Sequence, residues 1–226
     1  MLCAVNFVLA LEVAATVRGA DHGRAPKTGL RPVLIGDWNG GIFMRITPQQ
    51  IAVAGICGGL ALALSYTPLG FISVPNISGA ATTLHIPAIV AGVVAGPLAG
   101  ALVGLVLAIR SWWQFGGVFM QFAGGNLIIA LAGAFLPRVL IGVVAYYAYR
   151  ALRGTGASIL AAILGTTTNT AGVLGILWFL GTPDFRTAVA PVIAVNYPFE
   201  VLFAAVVAVP VFAVLSRNRP LAAARS

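Results

Sequence analysis

The feature that most constrains this chain is its lack of charged residues. Charged residues make up 8% of the 226 positions, hydrophobic residues make up 60%, and the mean hydropathy is +1.00. Soluble domains carry about 25% charged residues, so these charges are too few to cover a water-facing surface. A spanning helix needs about 20 mostly apolar residues, so the length suits about six such helices. The composition therefore excludes a soluble globular enzyme and predicts one all-α membrane domain, a bundle of six transmembrane helices.

The net charge of +8 comes from 13 Lys and Arg against 5 Asp and Glu. The basic residues are scattered singly, whereas nucleic-acid binding needs a patch or stripe of them. Basic residues at the ends of apolar spans instead set membrane topology. The cysteines, Cys3 and Cys57, have no spacing typical of a disulfide framework or a metal site. We therefore expect no metal, no cofactor and no nucleic-acid partner.

Residues 1–43 differ from the rest of the chain, since they hold three of the five acidic residues and the single lysine. Their apolar stretch is interrupted by Glu12 and has no basic residue before it, which is not typical of a secretory signal. We interpret 1–43 as an N-terminal extension and 44–226 as the membrane domain. A start codon assigned too early, with the true start near Met44, is favoured over a genuine extension or a cleaved or membrane-lying segment.

Glycine, proline, arginine and aromatic clusters divide the membrane domain into predicted spans. Two long segments, 67–82 and 110–125, are predicted to be loops, and Gly96-Pro97 a tight turn. The second span is short for a full crossing. The predicted spans cover about 49–66, 83–95, the stretch from Pro97 to 109, 126–149, 156–180 and 187–215, the last interrupted by Pro191, Pro198 and Pro210.

The distribution of arginine predicts the orientation of these spans. The positive-inside rule places the more basic set of loops in the cytoplasm, so both ends of the membrane domain are predicted to be cytoplasmic. The long segments 67–82 and 110–125 then face outward. The inner side carries Arg45, Arg150, Arg153, Arg217, Arg219 and Arg225, and the outer side carries Arg110 and Arg186.

Polar groups inside a bilayer are costly, and ionisable ones are functional candidates. A rise of 1.5 Å per helical residue places Asn169 and Asn196 at roughly 14–16 Å from the outer face and His85 at about 5 Å. Arg138 and Glu200 both come out near 18–20 Å by the same rise. Equal depth predicts that these two either pair with each other or contact a ligand. The depths predict a cavity open to the outside.

We expect substrate binding from the polar groups that reach this cavity and from residues at its rim. Structural alternatives exist for several of them: His85 could anchor a loop, Asn169 could join two helices, and Trp113 could anchor the chain at the membrane interface. The candidate substrate-binding residues are His85, Thr83, Asn126, Asn169, Thr168, Asn196, Glu200, Arg138, Arg110 and Trp113.

Small residues recur four apart in the first span and again around the Gly96-Pro97 turn. Such surfaces let helix backbones approach closely. They serve either packing within the bundle or docking of another membrane protein, and the sequence leaves both interpretations open. The candidate docking residues are Ala52, Ala54, Gly55, Gly58, Gly59 and Ala61, and the second series is Gly92, Gly96, Gly100 and Gly104.

Several motifs of energy conversion and catalysis are missing from the sequence. It contains no GxxxxGK[ST] phosphate loop and no HExxH or GxSxG motif, so we expect neither ATP hydrolysis by that route nor an enzyme. Few acidic residues lie in the spans, which argues against a proton- or sodium-coupled carrier. Energy would come from partners. A stand-alone channel or facilitator and a membrane enzyme or assembly factor remain as alternatives.

Four segments resemble the substrate-binding S component of energy-coupling-factor (ECF) vitamin transporters. The first two are TTLHIPAIVAG at 82–92 and GPLAGALVG at 96–104. FLPRVLIG at 135–142 and TNT at 168–170 are similar to the fourth and fifth helices of that family, and Asn196, Pro198 and Glu200 to its sixth. The resemblance extends from Met44 to about Leu215.

The resemblance implies a six-helix receptor in a prokaryotic plasma membrane that binds a vitamin in the outer half of the bilayer. It also implies a membrane coupling protein, which would meet the small-residue face of the first span, and two cytoplasmic ATPases. TTLHIP and TNT are most similar to the pantothenate-type subgroup. The carboxylate, amide and hydroxyls of pantothenate suit an Arg, Asn and Thr lining. Folate, riboflavin or cobalamin would instead stack on Trp112, Trp113 and Phe115.

Overall fold

The computed structural model describes residues 46–73, 80–152 and 154–218. The predicted extension 1–43 lies outside these residues, as do Arg45, Arg153, Arg219 and Arg225. The described helices are α1 Pro48–Ser65, α2 Ile86–Ala95, α3 Pro97–Phe122, α4 Leu127–Ala151, α5 Thr155–Leu180 and α6 Pro183–Asn218. Between α1 and α2, β1 Phe71–Ser73 pairs antiparallel with β2 Ala80–Thr82, with Phe71 opposite Thr82.

Within the described ranges, five helical stretches are long and apolar enough to cross a membrane: α1, α3, α4, α5 and Ile193–Val214 of α6. The remaining helix, α2, has 10 residues and is therefore about 15 Å long, half of a hydrocarbon core of roughly 30 Å. Almost all of its side chains are buried. The mostly helical, multi-pass membrane fold is confirmed, whereas six full crossings are not.

Helices begin where the sequence carries start signals. Thr47 caps α1: its hydroxyl accepts from the Gln50 amide at 3.3 Å, the Gln50 side chain accepts from the Thr47 amide at 3.0 Å, and Pro48 follows. Asn126 caps α4 by accepting from two backbone amides. Gly96, at φ +99°, separates α2 from α3, a conformation that glycine adopts without steric cost. These boundaries were predicted correctly.

The predicted loop at 110–125 is wrong, because α3 continues to Phe122. No proline interrupts this stretch, and its aromatic rings pack within the bundle: Trp112 lies 6.4 Å from Phe135 between ring centroids, and Phe119 is buried. Arg110 is likewise a helical residue. The turn to α4 is only 123–126, with Gly124 and Gly125 at positive φ.

Two further boundaries differ from the sequence prediction. The expected loop at 181–186 shortens to two residues, since α6 begins at Pro183, and α6 continues as one helix through Pro191, Pro198 and Pro210. Neighbouring helices and polar side chains compensate for backbone bonds lost at proline in membrane helices. At the other end, α2 begins at Ile86 rather than at Thr83.

Glycine allows α2, α3 and α4 to touch through their backbones. A Cβ added at Gly100 would lie 2.7 Å from the Cα of Gly142 and 2.8 Å from the Cα of Gly92. A Cβ at Gly104 would overlap the carbonyl of Arg138. These glycines therefore pack within the bundle, which decides between the two interpretations of the second small-residue series.

This packing predicts a specific loss of stability. Gly100→Ala adds a methyl group where only backbone atoms could move, so we expect the free energy of unfolding to fall by about 1–3 kcal/mol. Gly117→Ala on the same helix is the control, because an added Cβ there meets nothing within 4 Å. Denaturant unfolding in detergent micelles, followed by circular dichroism, measures both. Equal stability of the two variants would contradict the packing.

Candidate functional site

A cavity of about 190 Å³ lies between the β1–β2 pair, α3, α4, α5 and the start of α6. Most of its wall is apolar, including five phenylalanine rings, and its polar lining groups come from four different elements. The polar residues are Thr82, Ser111, Arg138 and Asn169, and the rings belong to Phe71, Phe115, Phe119, Phe122 and Phe185.

Arg138 is held in the cavity wall by its own helix. Pro137 lies inside α4 and has no N–H, so the carbonyl of Gly133 loses its usual helical partner. Nη1 of Arg138 donates to that carbonyl at 3.2 Å and to the Ala134 carbonyl at 2.8 Å. The guanidinium carbon lies 5.2 Å from the Phe119 ring centroid, within reach of a cation–π interaction. The proline and the aromatic ring together hold a half-buried cation in the wall.

Glu200 and Arg138, predicted either to pair or to contact a ligand, have hydrogen bonds to different groups. Glu200 is 5% exposed, and its two oxygens accept from the Thr82 amide at 2.9 Å and from the Thr170 hydroxyl at 2.6 Å. Among the described residues, no salt bridge joins these two side chains. The equal depth predicted for Glu200 and Arg138 is therefore not accompanied by direct contact between their side chains.

His85 and Thr83 stabilise the segment that connects β2 to α2. His85 is fully buried, and its Nε2 lies 3.0 Å from the hydroxyl of Thr166 on α5. The Thr83 hydroxyl donates to the carbonyl of Leu69 at 2.6 Å. Neither side chain belongs to the cavity wall. The contact of His85 fits the structural alternative of a loop anchor, and the Thr83 hydroxyl holds the same segment.

The remaining predicted site residues also lie outside the cavity wall. Arg110 donates to the Ser65 hydroxyl at 2.9 Å, and its guanidinium carbon is 4.9 Å from the Tyr66 ring centroid, so it braces the end of α1. Trp113 is 88% exposed. The others are the exposed helix cap Asn126, the half-buried Thr168, whose hydroxyl donates to the Leu164 carbonyl, and the buried Asn196 of α6.

Sequence reasoning missed most of the α3 contribution to the wall. Leu107, Ser111, Phe115 and Phe119 line the cavity, and they are spaced four apart, which places them on one helix face. Asn169, Val173 and Leu177 of α5 share this spacing. The signal was therefore present in the sequence, but the assignment of 110–125 to a loop removed the helix on which it depends.

A family model described as "ECF transporter, substrate-specific component" matches residues 49–212. The chain belongs to this family. No individual curated protein matches it at a significant level. Membership makes the protein a substrate-binding subunit of a transporter rather than a member of an enzyme family.

Part of the small-residue face of α1 lies on the outer surface of the helix bundle. Ala52, Gly55 and Gly59 are exposed, and an added Cβ would meet nothing within 4 Å at either glycine. Gly58 instead faces Val106 of α3. Ala61 is also buried and Ala54 is half-buried. The predicted docking residues therefore divide into an outward stripe and an inward packing face.

The contact between His85 and Thr166 predicts coupled effects on stability. His85→Ala and Thr166→Ala each leave a buried polar partner unpaired, so the double variant should lose less stability than the sum of the single ones, by about 0.5–3 kcal/mol. Thermal or denaturant unfolding of the four proteins completes this cycle. A parallel cycle of His85→Ala with Thr187→Ala should be additive, since Thr187 bonds within α6. Additivity in the first cycle would contradict the contact.

Proposed function

We propose that this chain is the S component of an ECF-type importer that captures a vitamin or vitamin precursor from outside a prokaryotic cell. The cavity would hold the substrate, and a membrane coupling protein with two cytoplasmic ATPases would supply the energy for its release inside. The observation that carries the proposal is the cavity, which contains one cation and one buried amide in an aromatic wall, inside a chain of this family. The arginine distribution supports cytoplasmic ends for the membrane domain.

Pantothenate is the substrate that we propose. Its carboxylate suits the cation of Arg138, its amide suits Asn169, and its hydroxyls suit Thr82 and Ser111, all of which line the cavity. The apolar wall suits its methyl groups. The five phenylalanine rings favour a second candidate class, a ring-bearing vitamin such as riboflavin, folate or cobalamin, because aromatic rings attract one another in stacked or edge-to-face arrangements.

Binding to the purified chain tests this proposal. Titration calorimetry with pantothenate, riboflavin, folate and cobalamin should show saturable binding of pantothenate. Asn169→Ala should weaken that binding by about 1–3 kcal/mol, because the ligand group that bonds the amide is left unpaired. Asp184→Asn, an exposed change at the start of α6, is the control.

Three outcomes distinguish the proposed pantothenate receptor from its alternatives. Binding of a ring-bearing vitamin alone would transfer the substrate assignment to that class. Absence of any vitamin binding at micromolar concentration would contradict the receptor. Passage of solute through liposomes that contain this chain alone, without ATP or partners, would favour a channel or facilitator.

We also propose that the outward stripe of α1, formed by Ala52, Gly55 and Gly59, contacts the coupling protein. Small side chains let a partner helix approach closely in a bilayer. Gly58 and Ala61, on the buried face of α1, would hold this helix against the bundle.

A bulky residue in the stripe should separate docking from substrate binding. Gly59→Leu should reduce co-purification of the coupling protein and ATPases at least ten-fold while vitamin affinity stays unchanged. Gly175→Leu is the matched control, since an added Cβ at that α5 glycine also meets nothing within 4 Å. Equal co-purification of both variants would place the coupling protein on another surface.

A further inference from the structure

Glu200 occupies an unusual position relative to the cavity. It is a buried ionisable residue on α6, yet it is not among the residues that line the cavity. A carboxylate removed from water is costly unless hydrogen bonds satisfy it. Glu200 obtains those bonds from two elements that do contribute to the wall.

The first bond fixes β2. The amide of Thr82 donates to Oε1 of Glu200 at 2.9 Å, and Thr82 lines the cavity. This contact joins residues 118 positions apart in the sequence. A buried amide that loses its acceptor costs free energy, so this bond is a substantial tether for a strand of three residues.

The second bond fixes α5. The hydroxyl of Thr170 donates to Oε2 of Glu200 at 2.6 Å, and the residue before it, Asn169, lines the cavity. Movement of either tether would therefore displace a polar lining group.

We propose that Glu200 is a positioning residue, which uses its two carboxylate oxygens to hold Thr82 and Thr170 and thereby sets the polar wall of the cavity. Sequence reasoning placed it among substrate-binding residues, whereas its bonds in the structure are to the wall itself. The inference rests on the proposed function only in its consequence, namely that a correctly placed wall binds substrate.

Hydrogen–deuterium exchange of the full chain in lipid nanodiscs, without substrate, tests the positioning directly. Glu200→Ala should accelerate exchange of peptides that contain Thr82 by about ten-fold or more, because the amide loses its acceptor. Glu200→Gln should retain most of the protection, since its carbonyl oxygen can still accept from that amide. Thr170→Val should give an intermediate increase, and it keeps the test valid if Glu200→Ala does not fold.

Matched controls lie on the same helix. Asp184→Ala removes another carboxylate of α6 and Thr187→Val another threonine hydroxyl, and both should leave exchange at Thr82 unchanged. Unchanged exchange at Thr82 in Glu200→Ala would overturn the proposal. Equal acceleration in peptides of α3 and α4 would also overturn it, because it would indicate a general loss of stability.

A second measurement separates this inference from the proposed function. Glu200→Ala should raise the dissociation rate of radiolabelled pantothenate by about ten-fold, and Glu200→Gln should restore slow dissociation. If the unsubstituted chain binds no pantothenate, the substrate assignment fails while the exchange result still decides the role of Glu200. If pantothenate binds and dissociates from Glu200→Ala at the unsubstituted rate, the positioning role is overturned.

Discussion

The backbone contact of α4 with α2 and α3 is the interaction on which the cavity depends. Gly92, Gly100 and Gly104 bring the three helices together where any Cβ would collide with backbone. Lipid tails are as apolar as the side chains, so association of helices in a bilayer relies on such close packing rather than on the hydrophobic effect. Because Gly104 packs on the carbonyl of Arg138, the same contact fixes the level at which the cation enters the wall.

Local signals in the sequence were sufficient for several helices, and insufficient for others. The starts of α1 and α4 were predictable because a capping residue satisfies free backbone amides there. The C-terminal end of α3 and the start of α6 were not, because aromatic, glycine and proline residues are ambiguous: they form loops in water, yet neighbouring helices support them inside a membrane bundle. Residues 110–122 show this most clearly, since tertiary packing of Trp112 and Phe119 decides their conformation.

The sequence allowed the depth of each candidate site residue to be estimated, but not the direction in which its side chain projects. Counting the helical rise brought Arg138, Asn169 and Glu200 to similar levels, and the first two do line one cavity. A depth says nothing about the side of the helix from which a side chain projects. Glu200 and His85 were therefore candidates for ligand contact, with an ion pair and a loop anchor as the alternatives, and in the structure they bond to Thr82, Thr170 and Thr166. Only the packing of the helices around one another determines that direction.

The shortness of α2 has a consequence for how such a receptor can diversify. Thr82 at the end of β2 bonds to Glu200, which lies in the candidate span Ile193–Val214, so the mostly buried, non-helical residues 81–85 lie within the bundle just ahead of α2. Irregular backbone is tolerated there because it lines a cavity and finds partners in protein. Phe71, on the strand that pairs with β2, and Thr82 line the cavity but take no part in the glycine contacts between α2, α3 and α4. Their side chains can therefore change the shape of the cavity while the helical framework stays the same, which would allow one scaffold to acquire new ligands.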